Sequence, residues 1–100
     1  MEYIESQLRN LADWTEVRVT WRDAYAPHSG WHEVEDYEPE EAIAVTLGRV
    51  WHNCQEHYLT IAGTIFKPED GTVKTVGDIN HIPLSWIIKL EVINGTTESN

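Results

Sequence analysis

Cysteine is nearly missing from this chain. Cys54 stands alone, so no internal disulfide can staple the fold, and a reducing, cytoplasmic setting is expected. Positive charge is also scarce. Seven Lys and Arg face seventeen Asp and Glu, for a formal net charge of −10. Long nucleic acid and anionic membrane surfaces repel such a chain, so neither is an expected partner. No apolar run approaches the roughly 20 residues that span a bilayer. Met1 is followed by Glu2 and Glu5, not by the basic stretch and apolar run of a signal peptide. Glycine-rich phosphate loops are absent too. LGRVW and VGDIN carry one glycine each, and neither is expected to open a helix. With no G-x-S-x-G and no placed Cys-His pair, nothing positions a nucleophile. A non-catalytic protein without a cofactor is expected.

What remains is an ordinary globular composition. Hydrophobic residues are 41% and charged residues 24% of 100 positions, enough for one autonomous domain. That domain is expected over 1–93, with a polar, flexible tail at 94–100. Residues 2–12, EYIESQLRNLA, repeat apolar positions at Ile4, Leu8 and Leu11, which predicts a short amphipathic helix. So short a helix must pack on its own barrel or on a second subunit. Its stripe points to a homo-oligomer.

From residue 16 the period changes to two. Strands are predicted over 16–24, 42–52, 57–66, 73–79 and 85–93. The first points Val17, Val19 and Trp21 one way and Arg18, Thr20 and Arg22 the other. In the second, Ile43, Val45 and Leu47 line one face, expected inward, until Gly48 marks a bend. The third is expected to turn Leu59, Ile61 and Ile65 inward. KPEDGT reads as a hairpin turn, with Gly71 left-handed. Trp86, Ile88 and Leu90 are expected to feed the core from the last strand. The fold class is therefore mainly β: a five-stranded SH3-like or Sm-like small barrel with a short N-terminal α-helix. An OB-type barrel fits less well, because KPEDGT is too short to hold its helix.

Three groups of residues carry possible chemistry. His52, Cys54 and His57, with His81, could offer ligands to Zn²⁺, but their spacing matches no established zinc pattern, so no metal site is assigned. The segment 33–41, EVEDYEPEE, holds six acids in nine positions and reads as a solvated loop. The third group surrounds it. Trp31 follows Gly30 in a long polar connection with Tyr25, His28 and His32, and a loop aromatic outside the core suggests a binding surface. Arg18 and Arg22 lie on the outward face of the first strand. Guanidinium for phosphate and rings for a base suit a small, planar, anionic ligand. Arg18, Arg22, Tyr25, Trp31 and His32 are thus the candidate ligand-binding residues. The alternative for both arginines is pairing with acids of the 33–41 loop.

Two resemblances extend this reading. His81-Ile82-Pro83, running into Trp86-Ile87, resembles the end of SH3 domains, where an Ile-Pro pair opens a turn of 3₁₀ helix before the last strand. The Ala-Leu-Tyr-Asp-Tyr segment and tandem Trp of peptide-binding SH3 domains are absent, so the resemblance concerns the barrel. Over residues 16–93 the pattern VTWRDA, GW, TLGRVW, YLTIAGTI, HIPLSWIIKLEV resembles small bacteriophage and prophage accessory proteins. Trp21, Asp23, Ala24, Gly30, Trp31, Gly48, Ile82, Pro83 and Ile87 carry it. It implies action in the bacterial cytoplasm, against host defence. The expected function is sequestration of a small nucleotide-derived immune signal, with an acidic inhibitor of a host protein, acting through 33–41, as the alternative.

Overall fold

The computed structural model describes residues 2–24, 31–39, 41–53 and 56–93. Helix α1 spans Glu2–Arg9, shorter than expected. It ends in a tightened turn, where the amides of Asn10 and Leu11 reach back three residues to Gln7 and Leu8, each at 3.1 Å. Its apolar stripe packs within the chain. Ile4 is buried in the core, and Leu8 and Leu11 lie against it. The Gln7 side-chain amide donates to the Leu90 carbonyl at 3.1 Å. The helix stripe therefore has an intramolecular place.

Five antiparallel strands follow: β1 (Glu16–Asp23), β2 (Ala42–Val50), β3 (Tyr58–Phe66), β4 (Thr75–Pro83) and β5 (Ile87–Val92). They form one sheet in the order β4-β3-β2-β1-β5. β4 and β5 are its outer strands, and no ladder joins them among the described residues. A turn of 3₁₀ helix, Leu84–Trp86, separates them and starts after Pro83 at φ −56°. β4 is longer than the expected 73–79. Its ladder with β3 runs on through Leu59↔Ile82 and Tyr58↔Pro83, which buries Ile82. The β3–β4 turn places Gly71 at φ +83°, as its sequence demands, with the Gly71 amide on the Pro68 carbonyl at 2.8 Å. No described helix is long and apolar enough to cross a membrane.

The core gathers Ile4, Val17, Val19, Val50, Leu59, Ile61, Ile82, Leu84, Ile87 and Leu90. Full burial of each large aliphatic side chain contributes about 1.5–3 kcal/mol. Several inward expectations need correction. On β2 the apolar set is turned outward: Ile43, Val45 and Leu47 are 48%, 57% and 59% exposed. The inner face of β2 carries Ala42, Ala44, Thr46 and Gly48 instead. The reason is Trp21, whose neighbour across the ladder is Ala44 and whose indole N–H donates to the Thr46 hydroxyl at 3.0 Å. Trp21 also stacks on Trp86, with ring centres 6.2 Å apart. The Trp21 indole thus lies against the small residues of that face of β2. On β5 the register slips between Thr20 and Trp21, which pair with Lys89 and Ile87. Ile88 is the extra residue and faces out, while Ile87 and Leu90 point in. Trp86 is likewise half-exposed, and Ile65 is half-buried.

Gly48 is where the sheet turns its corner. β1 and β2 pair from Glu16↔Arg49 to Asp23↔Ala42, whereas β2 and β3 share only Arg49↔Ala62 and Val50↔Ile61. A Cβ at Gly48 would meet the Ile61 side chain and lie 2.9 Å from the Ala62 carbonyl oxygen. The backbone oxygen cannot move aside. Gly48→Ala should therefore lower stability by about 1–3 kcal/mol, the usual cost of overpacking. At Gly77 the nearest atom to a new Cβ is 4.0 Å away, so Gly77→Ala should be neutral or slightly stabilising. Urea midpoints of the two variants check the contrast.

Candidate functional site

Arg18 and Arg22 project from the outward face of β1, as alternation requires. Both are engaged. The Nε of Arg18 donates to Glu91 at 2.9 Å, across the β1–β5 ladder, and Glu91 also meets Lys89 at 3.4 Å. The Nε of Arg22 donates to Glu41 at 3.0 Å, at the point where the loop rejoins β2. One arginine is thus paired with the end of the acidic segment and the other with β5. Hydrogen bonding to Arg18 holds the Glu91 carboxyl below the usual carboxylate range, and Glu91 in turn raises Arg18 above its ordinary value.

The loop between β1 and β2 leaves the sheet at Asp23. Tyr25, with His28 and Gly30, lies outside the described residues. Trp31 is 102% exposed, fully in water, and Val34 is 93% exposed. His32 meets Tyr37 edge-on at 5.0 Å. A turn closes with the Asp36 amide on the Glu33 carbonyl at 3.0 Å. No ring contact, hydrogen bond or ion pair among the described residues joins Trp31 or His32 to Arg18 or Arg22. The loop therefore presents an aromatic and an aliphatic side chain on an acidic background, apart from the arginines.

A second region lies where β2 turns into β3. A cavity of about 460 Å³ opens there, lined among others by Leu8, Trp51, Asn53, Glu56, Tyr58 and Thr60. Trp51 stacks on Trp14 at 6.0 Å. Trp14 takes a positive φ of 72° while its amide bonds the Val50 carbonyl at 2.6 Å and its own carbonyl accepts from Arg49 at 3.1 Å. The buried Thr60 hydroxyl donates to the Asn53 side-chain oxygen at 3.1 Å and lies 3.0 Å from His81 Nδ1. Since that hydroxyl has a single proton, the His81 nitrogen is the donor in the second bond. His52 is used structurally. Its amide donates to Asp13 at 2.7 Å, and its Nε2 lies 2.8 Å from the Leu11 carbonyl, which fixes Nε2 as the protonated nitrogen. His57 is exposed beside Glu56 at 3.9 Å. Cys54 lies outside the described residues, and no group of three possible metal ligands occurs among those described. The chemistry here is that of a polar-rimmed apolar hollow, with Glu56 on its rim.

Sequence reasoning missed this hollow. Thr60 and His81 are partners in the β3–β4 ladder, but their register becomes known only once β4 is extended to Pro83. Trp14 had no period to place it, and Trp51 fell in the strand expected over 42–52, which ends at Val50. No family model, no curated protein and no solved structure matches the chain.

The Arg18–Glu91 pair has a defined pH signature. A carboxyl whose folded pKa is depressed adds stability above its unfolded pKa and loses it as pH falls through the folded value. The pair is solvent-exposed, so the effect on stability is small. In a carbon-detected NMR titration, Glu91 should change protonation below the usual glutamate range. Arg18→Gln should move that midpoint upward.

Proposed function

We propose that the chain is a non-catalytic protein-binding domain, an SH3-like small barrel whose β1–β2 loop docks on a basic, apolar-pocketed surface of a partner protein. The carrying observation is Trp31, fully exposed beside the exposed Val34 on a segment rich in acids. A Trp held in water gains most when an interface desolvates it, and such rings dominate binding energy where they are buried. The surrounding carboxylates raise the encounter rate with a positive surface and set its orientation. The barrel reading is supported by the strand order, the crossing at Gly48 and the 3₁₀ turn before β5. The resemblance to small phage accessory proteins supports a host protein of the bacterial cytoplasm as the partner.

A second reading is sequestration of a small nucleotide-derived signal by Arg18, Arg22, Tyr25, Trp31 and His32. It is favoured by two guanidinium groups on one face of β1, each bound to its carboxylate through Nε. A phosphate would have to compete with Glu91 and Glu41, which places this reading second.

The two readings separate experimentally. Capture of a specific host protein should weaken with salt and disappear in Trp31→Ala or when Glu33, Glu35, Asp36 and Glu38 become amides. Arg22→Ala should leave it intact. A thermal-shift panel of cyclic and linear nucleotides should give no stabilisation. A shift that is lost in Arg18→Ala and Arg22→Ala would replace the docking reading with the second.

A further inference from the structure

Residues 42–48, AIAVTLG, form a strand whose one edge is fully paired with β1. Among the described residues its other edge is open. β3 takes over only at Arg49 and Val50, so the preceding main-chain groups on that side have no ladder partner among the described residues. The same stretch holds Ile43, Val45 and Leu47 outward, each 48% exposed or more. It contains no charge and no proline. An exposed strand edge is normally blunted by lysine, proline, a bulge or a covering element. This one combines β-branched residues, an apolar face and unspent backbone hydrogen-bonding capacity.

We infer that β2 is a self-association edge, pairing antiparallel with the β2 strand of a second copy about a two-fold axis through Val45. Self-pairing is favoured over another occupant by three features. Val45 is the midpoint of the open stretch, so a two-fold axis there uses the whole edge of both copies. That register sets Ile43 of each copy opposite Leu47 of the other, joining two apolar stripes on one face. Local charge agrees. The chain carries −10 overall, yet the flanking charges on this face are internally paired, Arg22 with Glu41 and Arg18 with Glu91. Two copies can approach here without bringing unpaired carboxylates together. The contact is a closed, isologous one, so it stops at a dimer. Being small, it is concentration-dependent. It stands apart from the loop-docking proposal, since Trp31 and Val34 take no part in it.

Sedimentation equilibrium and disulfide trapping test the inference. The wild-type chain should shift from the mass of one copy to that of two as concentration rises. Val45→Lys should remain a monomer while its circular dichroism and NMR dispersion stay native, since Val45 is more than half exposed. With Cys54 replaced by Ser, Val45→Cys should oxidise to a covalent dimer. Opposed Cα atoms in an antiparallel pair are about 4.5–5.5 Å apart, within disulfide reach. Ile43→Cys alone should not cross-link, because it faces residue 47 of the other copy, whereas Ile43→Cys with Leu47→Cys should. A wild-type monomer at every accessible concentration would overturn the inference. So would a dimer that survives Val45→Lys and is not trapped by Val45→Cys.

Discussion

The sheet depends on one close approach, that of β3 over Gly48. At that point β2 leaves its long pairing with β1 and meets β3 for only two residue pairs. A side chain there would strike both Ile61 and the Ala62 backbone. The crossing lets a single strand serve two ladders and brings Val50, Ile61 and Leu59 over Val17 and Val19 as one core. With the crossing fixed, the rest follows in sequence. β4 pairs along β3 to Pro83, the 3₁₀ turn reverses the chain, and β5 closes on the free side of β1.

The same crossing explains why β2 wears its apolar residues outside. Before Gly48 the inner face of β2 meets Trp21, which stacks on Trp86, and not β3. Ala42, Ala44 and Thr46 are the small residues that accompany the Trp21 indole there. Thr46 adds a specific function by accepting the Trp21 indole proton, which would otherwise be an unpaired donor in a half-buried layer. Alternation then forces Ile43, Val45 and Leu47 to the other face. The stripe is thus a consequence of how the core is built, and three exposed aliphatic residues in a row make the face suited to a covering partner.

Much of the fold was legible in the sequence because strand alternation, Gly71 and Pro83 each act locally. Val17, Val19, Leu59 and Ile61 are where period two places them, and Pro83 starts the turn its fixed φ favours. Reading failed where the outcome depends on distant residues. Alternation in β2 identified the two faces correctly but could not say which one meets the core, since Trp21 and Trp86 decide that. In β5 the bulge at Ile88 is set by pairing with β1, so the sequence could not reveal the change of face. Among the site residues, the exposure of Trp31 follows from its polar neighbourhood. The partners of Arg18 and Arg22 came from two different elements, and only Glu41 belongs to the loop suspected from charge.

The distribution of charge ties these surfaces together. The acids are concentrated where Trp31 and Val34 project, while the outward arginines of β1 are spent on neutralising Glu41 and Glu91. The domain therefore has two faces of different physical character. Contacts made by the acidic loop are screened by salt over about 10 Å at 0.1 M ionic strength. A backbone ladder along β2, joined to an apolar stripe, has little charge to screen. On the proposed docking and self-pairing, a rise in ionic strength would weaken the first kind of contact and leave the second nearly unchanged. The arginines matter to that separation. Without Arg22, Glu41 would add its charge at the mouth of the strand edge, and the acidic character of the loop would spread on to the face that the fold otherwise keeps neutral.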